Sequence, residues 1–207
     1  MGDPRRQKKK YVTPKRPFDT ERFEQELQLI GSYGLRNKRE LWRHKTELSR
    51  YRRTARNLLA IPESERRLME SELVNKLSRI GVLRGEQLLD HVLDLTLENV
   101  LERRLQTVVF RNGLACSMYH ARQLVTHGHI ALGDQRVTTP SRLLTVSEEE
   151  TLGYSPKSSL RDDSHPARIA ASDVARRVAA GPVDFGDDQG EREPLPGDAG
   201  NRGDVQE

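Results

Sequence analysis

Residues 113–137 read GLACSMYHARQLVTHGHIALGDQRV, and these 25 residues hold two arginines, three histidines, a tyrosine and the chain's single cysteine. Histidines so close together first raise a metal or catalytic centre. The spacing argues for something else. Ser117 is a good N-cap, and a helix from there to His127 ends at Gly128. It places Met118, Ala121, Leu124 and Val125 on one arc, with Tyr119, His120, Gln123 and His127 on the other and Arg122 at the border. HIAL and RVTT then read as two strands around the Gly133-Asp134 turn, and LLTVSEEE is a candidate third strand.

His120 and His127 lie two helical turns apart, so ~10.5 Å separates their backbones. That is too far for an easy shared tetrahedral metal, and no carboxylate or second cysteine sits among them. Cys116 lies in a turn of small residues, where a cysteine is more often buried than nucleophilic. What remains is a donor-rich face on a helix backed by a small sheet, chemistry that suits phosphates, 2′-hydroxyls and exposed bases.

Upstream, a first helix starts at Asp19 or Thr20 with Phe23, Leu27 and Ile30 on one face, and Gly31 and Gly34 end it. A longer helix from about Lys38 to Ala60 gathers Leu41, Leu48, Tyr51, Ala55, Leu58 and Leu59 within one arc. Arg39, Arg43, Arg50 and Arg53 fall opposite them without a carboxylate there, which makes a basic stripe rather than an ordinary solvated face. Arg52, nearer the apolar arc, either snorkels or meets a carboxylate. A third helix follows Pro62, with Met69, Leu73, Leu77 and Ile80 as core residues and Gly81 as its stop. After a short segment holding Leu88, Leu89, Val92 and Leu93, Thr96 caps a helix LENVLERRLQTVVF. Leu97, Leu101, Leu105 and Val108 face inward on it, and Arg103 and Arg104 point away or to the flank, until Asn112-Gly113 stops it.

Hydrophobic residues make up only 34% of the 207 and charged residues 32%, so the core must be small relative to the surface. The pI of 9.3 suits a polyanionic partner, and the distribution of charge sharpens this. Lys and Arg exceed Asp and Glu by ten over residues 1–60, balance them over 61–161, and fall six short over 162–207. One cysteine excludes an intramolecular disulfide and points to a reducing compartment. No apolar run approaches the ~20 residues needed to cross a bilayer, and no signal-peptide pattern opens the chain. The expectation is a soluble cytosolic protein with no membrane partner and no small-molecule substrate.

The stretch RNGLACSMYHARQLVTHGHIALGDQRVTTPS, 111–141, closely resembles the RNA-binding module named after small-subunit ribosomal protein S-four, with its G-L-A-x-S, A-R-Q-L-V-x-H-G-H-I and V-x-x-P-S elements. MGDPRRQKKKY, LIGSYGLRNKRELW, YRRTARNLL and LERRLQTVVFRNGLA resemble the archaeal and eukaryotic branch of the S-four family itself, and the resemblance covers about residues 1–160. It implies a non-enzymatic constituent of the cytoplasmic small subunit that binds small-subunit rRNA early in assembly and organises the subunit body around a multi-helix junction. It further implies ribosomal protein S-five as a neighbour and a place near the mRNA entry path with a role in decoding accuracy. Carried onto this sequence, the RNA-contacting positions are Ser117, Tyr119, His120, Arg122, Gln123, His127 and His129, led into by Arg103, Arg104 and Arg111. Two departures stand out. Gly133-Asp134 replaces the usual Asn-Gly turn, placing an acid at the hairpin tip, and the zinc-binding cysteines of some bacterial relatives are absent, so no metal or other cofactor is expected.

The expected architecture is α+β. Residues 1–18 form a basic extended arm, with Tyr11 and Phe18 as stacking surfaces. Residues 19–102 form a helical N-terminal domain and 103–161 an RNA-binding module of a helix pair and short sheet. Residues 162–207 form an acidic tail expected to be disordered, in which SDVARRVAA has the pattern of a brief helix. Two alternatives use the same module: an RNA-modifying or tRNA-acting enzyme, which would need a catalytic constellation the remaining segments lack, and a free ribosome-rescue factor, which would not need the N-terminal half.

Overall fold

The computed structural model describes residues 9–83 and 88–179, so the first eight residues of the expected arm and residues 180–207 of the expected tail lie outside the described residues. The elements run α1 (Thr20–Ser32), α2 (Lys38–Leu59), α3 (Glu63–Ile80), α4 (Leu89–Asp94), α5 (Leu97–Glu102), α6 (Leu105–Arg111), α7 (Met118–Thr126), β1 (Ile130–Leu132), β2 (Gln135–Arg136), α8 (Val146–Glu150), β3 (Leu152–Tyr154) and α9 (Pro166–Ala179). The sheet is antiparallel in the order β2-β1-β3, with Ala131 opposite Arg136 on one side and Gly153 on the other. This is the expected α+β architecture, mostly helical with one small sheet.

Two cores follow from two apolar patterns. In the N-terminal half, Leu48, Tyr51, Ala55 and Leu58 of α2 pack against Leu73, Val74 and Leu77 of α3 and Leu89 and Val92 of α4. In the module, Leu105, Val108 and Val109 of α6 meet Ala121, Leu124 and Val125 of α7 and Ile130 of β1. Tyr33, Leu35, Leu41, Leu101 and Met118 form a smaller cluster joining the halves. Asn37 caps α2 by accepting the Glu40 N–H, and Ser117 caps α7 by accepting the His120 N–H.

Several expectations are corrected. The apolar face expected on α1 is rotated: Phe23 and Leu27 are exposed, while Glu26 is buried. Glu26 accepts the Trp42 indole N–H at 3.1 Å and pairs with Lys38 at 3.2 Å, so a charged seam fastens α1 to α2 where an apolar one was expected. Leu59 at the end of α2 and Met69 on α3 are also exposed, and Val74 takes an inner place on α3. Arg52 neither snorkels nor meets a carboxylate; its guanidinium donates to the Leu95 carbonyl.

The expected single helix over 97–110 is two helices. Arg104 is extended (φ −72°, ψ 140°), Leu144 N–H donates to the Arg103 carbonyl at 2.9 Å, and Leu105 N–H donates to the Arg142 carbonyl at 2.7 Å. Pairing with segment 142–144 thus draws the backbone out of the helix, while the inner face keeps its periodicity across the break. For the same reason LLTVSEEE is not a strand. Leu143 and Leu144 pair at the helix break, and Thr145 and Glu148 form a reciprocal capping box that starts α8. The third strand begins immediately afterwards, at Leu152.

Part of the expected tail is helical. Residues 166–179 form α9, longer than the helix expected within SDVARRVAA and packed on the module. Ala171 is fully buried. A Cβ on Gly113 would lie 2.7 Å from the Ala175 Cβ, and the Arg168 guanidinium sits over the Tyr154 ring at 5.2 Å.

Candidate nucleic-acid interface

The α2 stripe is built by helical spacing alone. Arg39, Arg43, Arg50 and Arg53 are all exposed, and none of their guanidinium groups forms a hydrogen bond or ion pair with the described residues. Thr46 lies in the same arc, and its hydroxyl accepts the Val12 N–H at 3.0 Å. Tyr11 packs on Trp42 with ring centroids 6.1 Å apart, and the Lys9 ammonium sits 4.8 Å from the Tyr11 centroid. The described end of the arm is therefore seated on α2, next to the stripe, with Lys9 and Lys10 exposed beside it. Tyr11 is committed to this contact, while Phe18 stays almost wholly exposed.

On α7 the division into two faces has an outer side of four residues. Tyr119 is 60% exposed, Gln123 and His127 are exposed, and His120 is half-buried. His120 Nδ1 accepts the Cys116 N–H at 3.1 Å, so the neutral ring carries its proton on Nε2 and presents a donor outward. Burial lowers its pKa and reinforces the neutral form. Ser117 is exposed, but its oxygen is used as the cap. His129 is half-buried, with Nδ1 2.8 Å from the Ser158 hydroxyl.

The remaining arginines carried over from the sequence are tied internally. Arg111 is half exposed but grips Glu102 in a bidentate pair at 2.8 and 3.2 Å, which raises its pKa. Arg103 and Arg104 do not point away; both are buried. Arg103 meets Glu149 at 2.8 Å and the Ile80 carbonyl at 2.7 Å. Arg104 meets Glu40 at 2.9 Å, and its Nε and Nη1 have no hydrogen-bond partner among the described residues. Arg122, read as a border residue with a free fork, turns inward across the seam between the halves. It donates to Glu40 at 2.6 and 3.2 Å and to the Gln106 side-chain oxygen at 3.2 Å.

Glu40 and Gln106 are the residues the sequence reading missed. Burial by itself pushes the Glu40 carboxyl upward, but hydrogen bonds from Arg122 and Arg104 outweigh it and hold the pKa below the ordinary value. Gln106, fully buried, donates to the Gly34 carbonyl at 3.0 Å and to the Met118 carbonyl at 2.9 Å, stitching the α1–α2 turn to the start of α7. Gly34 must be a glycine there: its φ is +56°, and a Cβ would lie 2.9 Å from both Gln106 Nε2 and the Met118 Cβ. A buried glutamine in LQTVV was the one sequence signal of this seam, and nothing in the sequence named its partners. The cluster fixes α7 relative to α2, so the two outward faces have one set geometry.

Among the described residues, no group of three or more His, Cys, Asp or Glu side chains is placed to hold a metal ion, and no helix is long and apolar enough to cross a membrane. A helix pair on a short antiparallel sheet, with a donor-rich outer face, has the build of an S4-type RNA-binding module, and the family model described as the S4 domain matches residues 103–149. Similarity extends well beyond the module. The chain is 51% identical over 158 residues to the small ribosomal subunit protein uS4 of Ignicoccus hospitalis, covering 76% of this chain and 95% of that one. It is 47% identical to the uS4 proteins of Methanococcus vannielii, over 83% of this chain and 97% of the relative, and Methanoregula boonei, over 87% and 99%. The chain belongs to the uS4 family of small ribosomal subunit proteins.

Proposed function

We propose that this protein is a structural constituent of the cytoplasmic small ribosomal subunit and binds small-subunit rRNA directly. The supporting observation is a pairing of family and surface: a uS4 chain whose α2 carries four exposed arginines with no carboxylate partner among the described residues. Arg39, Arg43, Arg50 and Arg53 take phosphates, giving affinity without sequence reading. Tyr119 offers a stacking surface, and His120 Nε2–H, Gln123 and His127 reach bases or 2′-hydroxyls. Ser117, His129 and Arg111 border this face. Arg103, Arg104 and Arg122 act from inside, positioning the two faces rather than meeting RNA.

On the same reading the protein binds early, helps nucleate assembly of the subunit body at a multi-helix junction, neighbours ribosomal protein S-five, and lies near the mRNA entry path, where it contributes to accuracy. It performs no catalysis and uses no cofactor. Co-sedimentation with isolated small subunits through a high-salt gradient tests the proposal. Retention in the subunit peak is expected. Release at moderate salt with turnover of free RNA or tRNA would favour a modifying enzyme or a free factor instead.

A further inference from the structure

The carboxylates of the acidic C-terminal segment would be repelled by RNA phosphates. Residues 180–207 carry eight carboxylates (Asp184, Asp187, Asp188, Glu191, Glu193, Asp198, Asp204 and Glu207) against Arg192 and Arg202, a net charge of −6 in 28 residues. The segment is tethered to the folded chain through α9. Helix α9, which precedes it, is held to the module by the fully buried Ala171, by the close approach of Ala175 to Gly113, and by the Cys116 thiol 3.7 Å from the Ala167 carbonyl. From that anchor, 28 residues reach up to ~90 Å when extended. Helix α2, at 22 residues, is about 33 Å long, so reach does not restrict where the segment docks.

Charge does restrict it. Arg103, Arg104, Arg111, Arg122 and Arg142 are each matched by a carboxylate of the folded chain. The α2 stripe is not: Arg39, Arg43, Arg50 and Arg53 are exposed over about 21 Å of helix, and the seated arm adds Lys9 and Lys10 alongside. Among the described residues the stripe sets four exposed arginines without a carboxylate partner on one helix face, and the tethered segment carries the complementary charge at high local concentration.

We infer that residues 180–207 dock on the α2 arginine stripe of the same chain when no RNA is bound, and that RNA displaces them. This rests on the reading of the stripe as the phosphate-contacting face. The segment competes with the sequence-independent electrostatic part of RNA binding and leaves the contacts of α7 untouched. Non-specific RNA is therefore penalised more than an RNA that also engages Tyr119, Gln123 and His127.

The test uses the full-length chain in four forms: wild type, a tail-neutral form with the eight carboxylates changed to Asn or Gln, a stripe-neutral form with Arg39→Gln, Arg43→Gln, Arg50→Gln and Arg53→Gln, and the two combined. Thermal melts first establish that all four are folded. Affinity for an unstructured RNA oligonucleotide is then measured at low salt and near 0.5 M. If the stripe is free about one-fifth of the time, neutralising the tail tightens binding about fivefold at low salt. That gain should vanish at high salt and be absent in the stripe-neutral background. An equal gain with and without the stripe, or no gain at all, overturns the proposal. A photo-crosslinking phenylalanine analogue at position 185 gives an independent reading without RNA. Monomeric crosslinks to residues 38–59 are expected, and crosslinks only to other surfaces, or only to other molecules, overturn it. If instead the stripe-neutral form binds RNA as wild type does while crosslinking still maps to α2, the reading of the stripe as the RNA face has failed and the docking has not.

Discussion

Glu40→Gln should destabilise the protein far more than its place in the first turn of an exposed, arginine-rich helix would indicate. Arg104 is 1% exposed. Its charge is matched by Glu40 Oε2 at 2.9 Å, and its Nε and Nη1 have no hydrogen-bond partner among the described residues. Removing the carboxylate charge leaves a buried guanidinium uncompensated, a change that costs about 3–5 kcal/mol in comparable settings. Arg122 softens the loss, because its side chain is 20% exposed and can turn to water, so the lower end, about 3 kcal/mol, is expected. For a chain of this size that is about 6–12 °C in melting temperature. Thermal and urea denaturation would measure it, with Arg122→Ala costing less, about 1–2 kcal/mol. Replacing the pair together, Glu40→Leu with Arg104→Met, should recover most of the loss, because no buried charge is then orphaned. A Glu40→Gln variant that melts with the wild type would refute the reasoning, since the seam would then not depend on the charge at position 40.

Other perturbations probe the remaining parts of the structure separately. Because the Glu40 carboxyl titrates below its ordinary value in the folded state, its stabilising contribution is complete above about pH 4.3 and is lost as pH falls through the folded pKa. Urea melts from pH 7 to pH 3 should show a steeper acid decline for wild type than for Glu40→Gln. Leu124→Ala, on the buried side of α7, should lower stability by about 2–5 kcal/mol and reduce RNA binding only as far as it unfolds the protein. Tyr119→Ala should do the reverse, weakening binding by about 1–3 kcal/mol if a base stacks there, with an unchanged melt. Removing residues 166–207 should lower the melting temperature by exposing the surface that Ala171 covers, and by more than removing only 180–207 does.

The long amphipathic segments were legible in the sequence because burial there follows one period. The arcs of α2 and α7 and the cap at Ser117 depend on local pattern and local hydrogen bonds. The reading failed where a distant segment supplied the partner. Nothing local shows that residues 142–144 would draw Arg104 out of a helix, or that Glu26 rather than Phe23 would face α2. The Thr145–Glu148 capping box was visible in principle, but an adjacent run of apolar residues resembled a strand more strongly. Candidate contacts divided the same way. Exposed arginines opposite a core arc follow from geometry, whereas Arg103, Arg104 and Arg122 were drawn inside by carboxylates from other elements, and sequence spacing does not record such pairs.

The central claim is that the α2 stripe meets phosphate. It is tested most directly by the salt dependence of binding to small-subunit rRNA for wild type and for the chain with Arg39, Arg43, Arg50 and Arg53 all changed to Gln. Each phosphate left without its arginine should lower the log-log slope by roughly 0.7 to 0.9. The fourfold variant should therefore show a slope shallower by about 3, with its melting temperature unchanged. An identical slope in the two proteins would contradict the claim and move the phosphate-binding surface elsewhere on the chain.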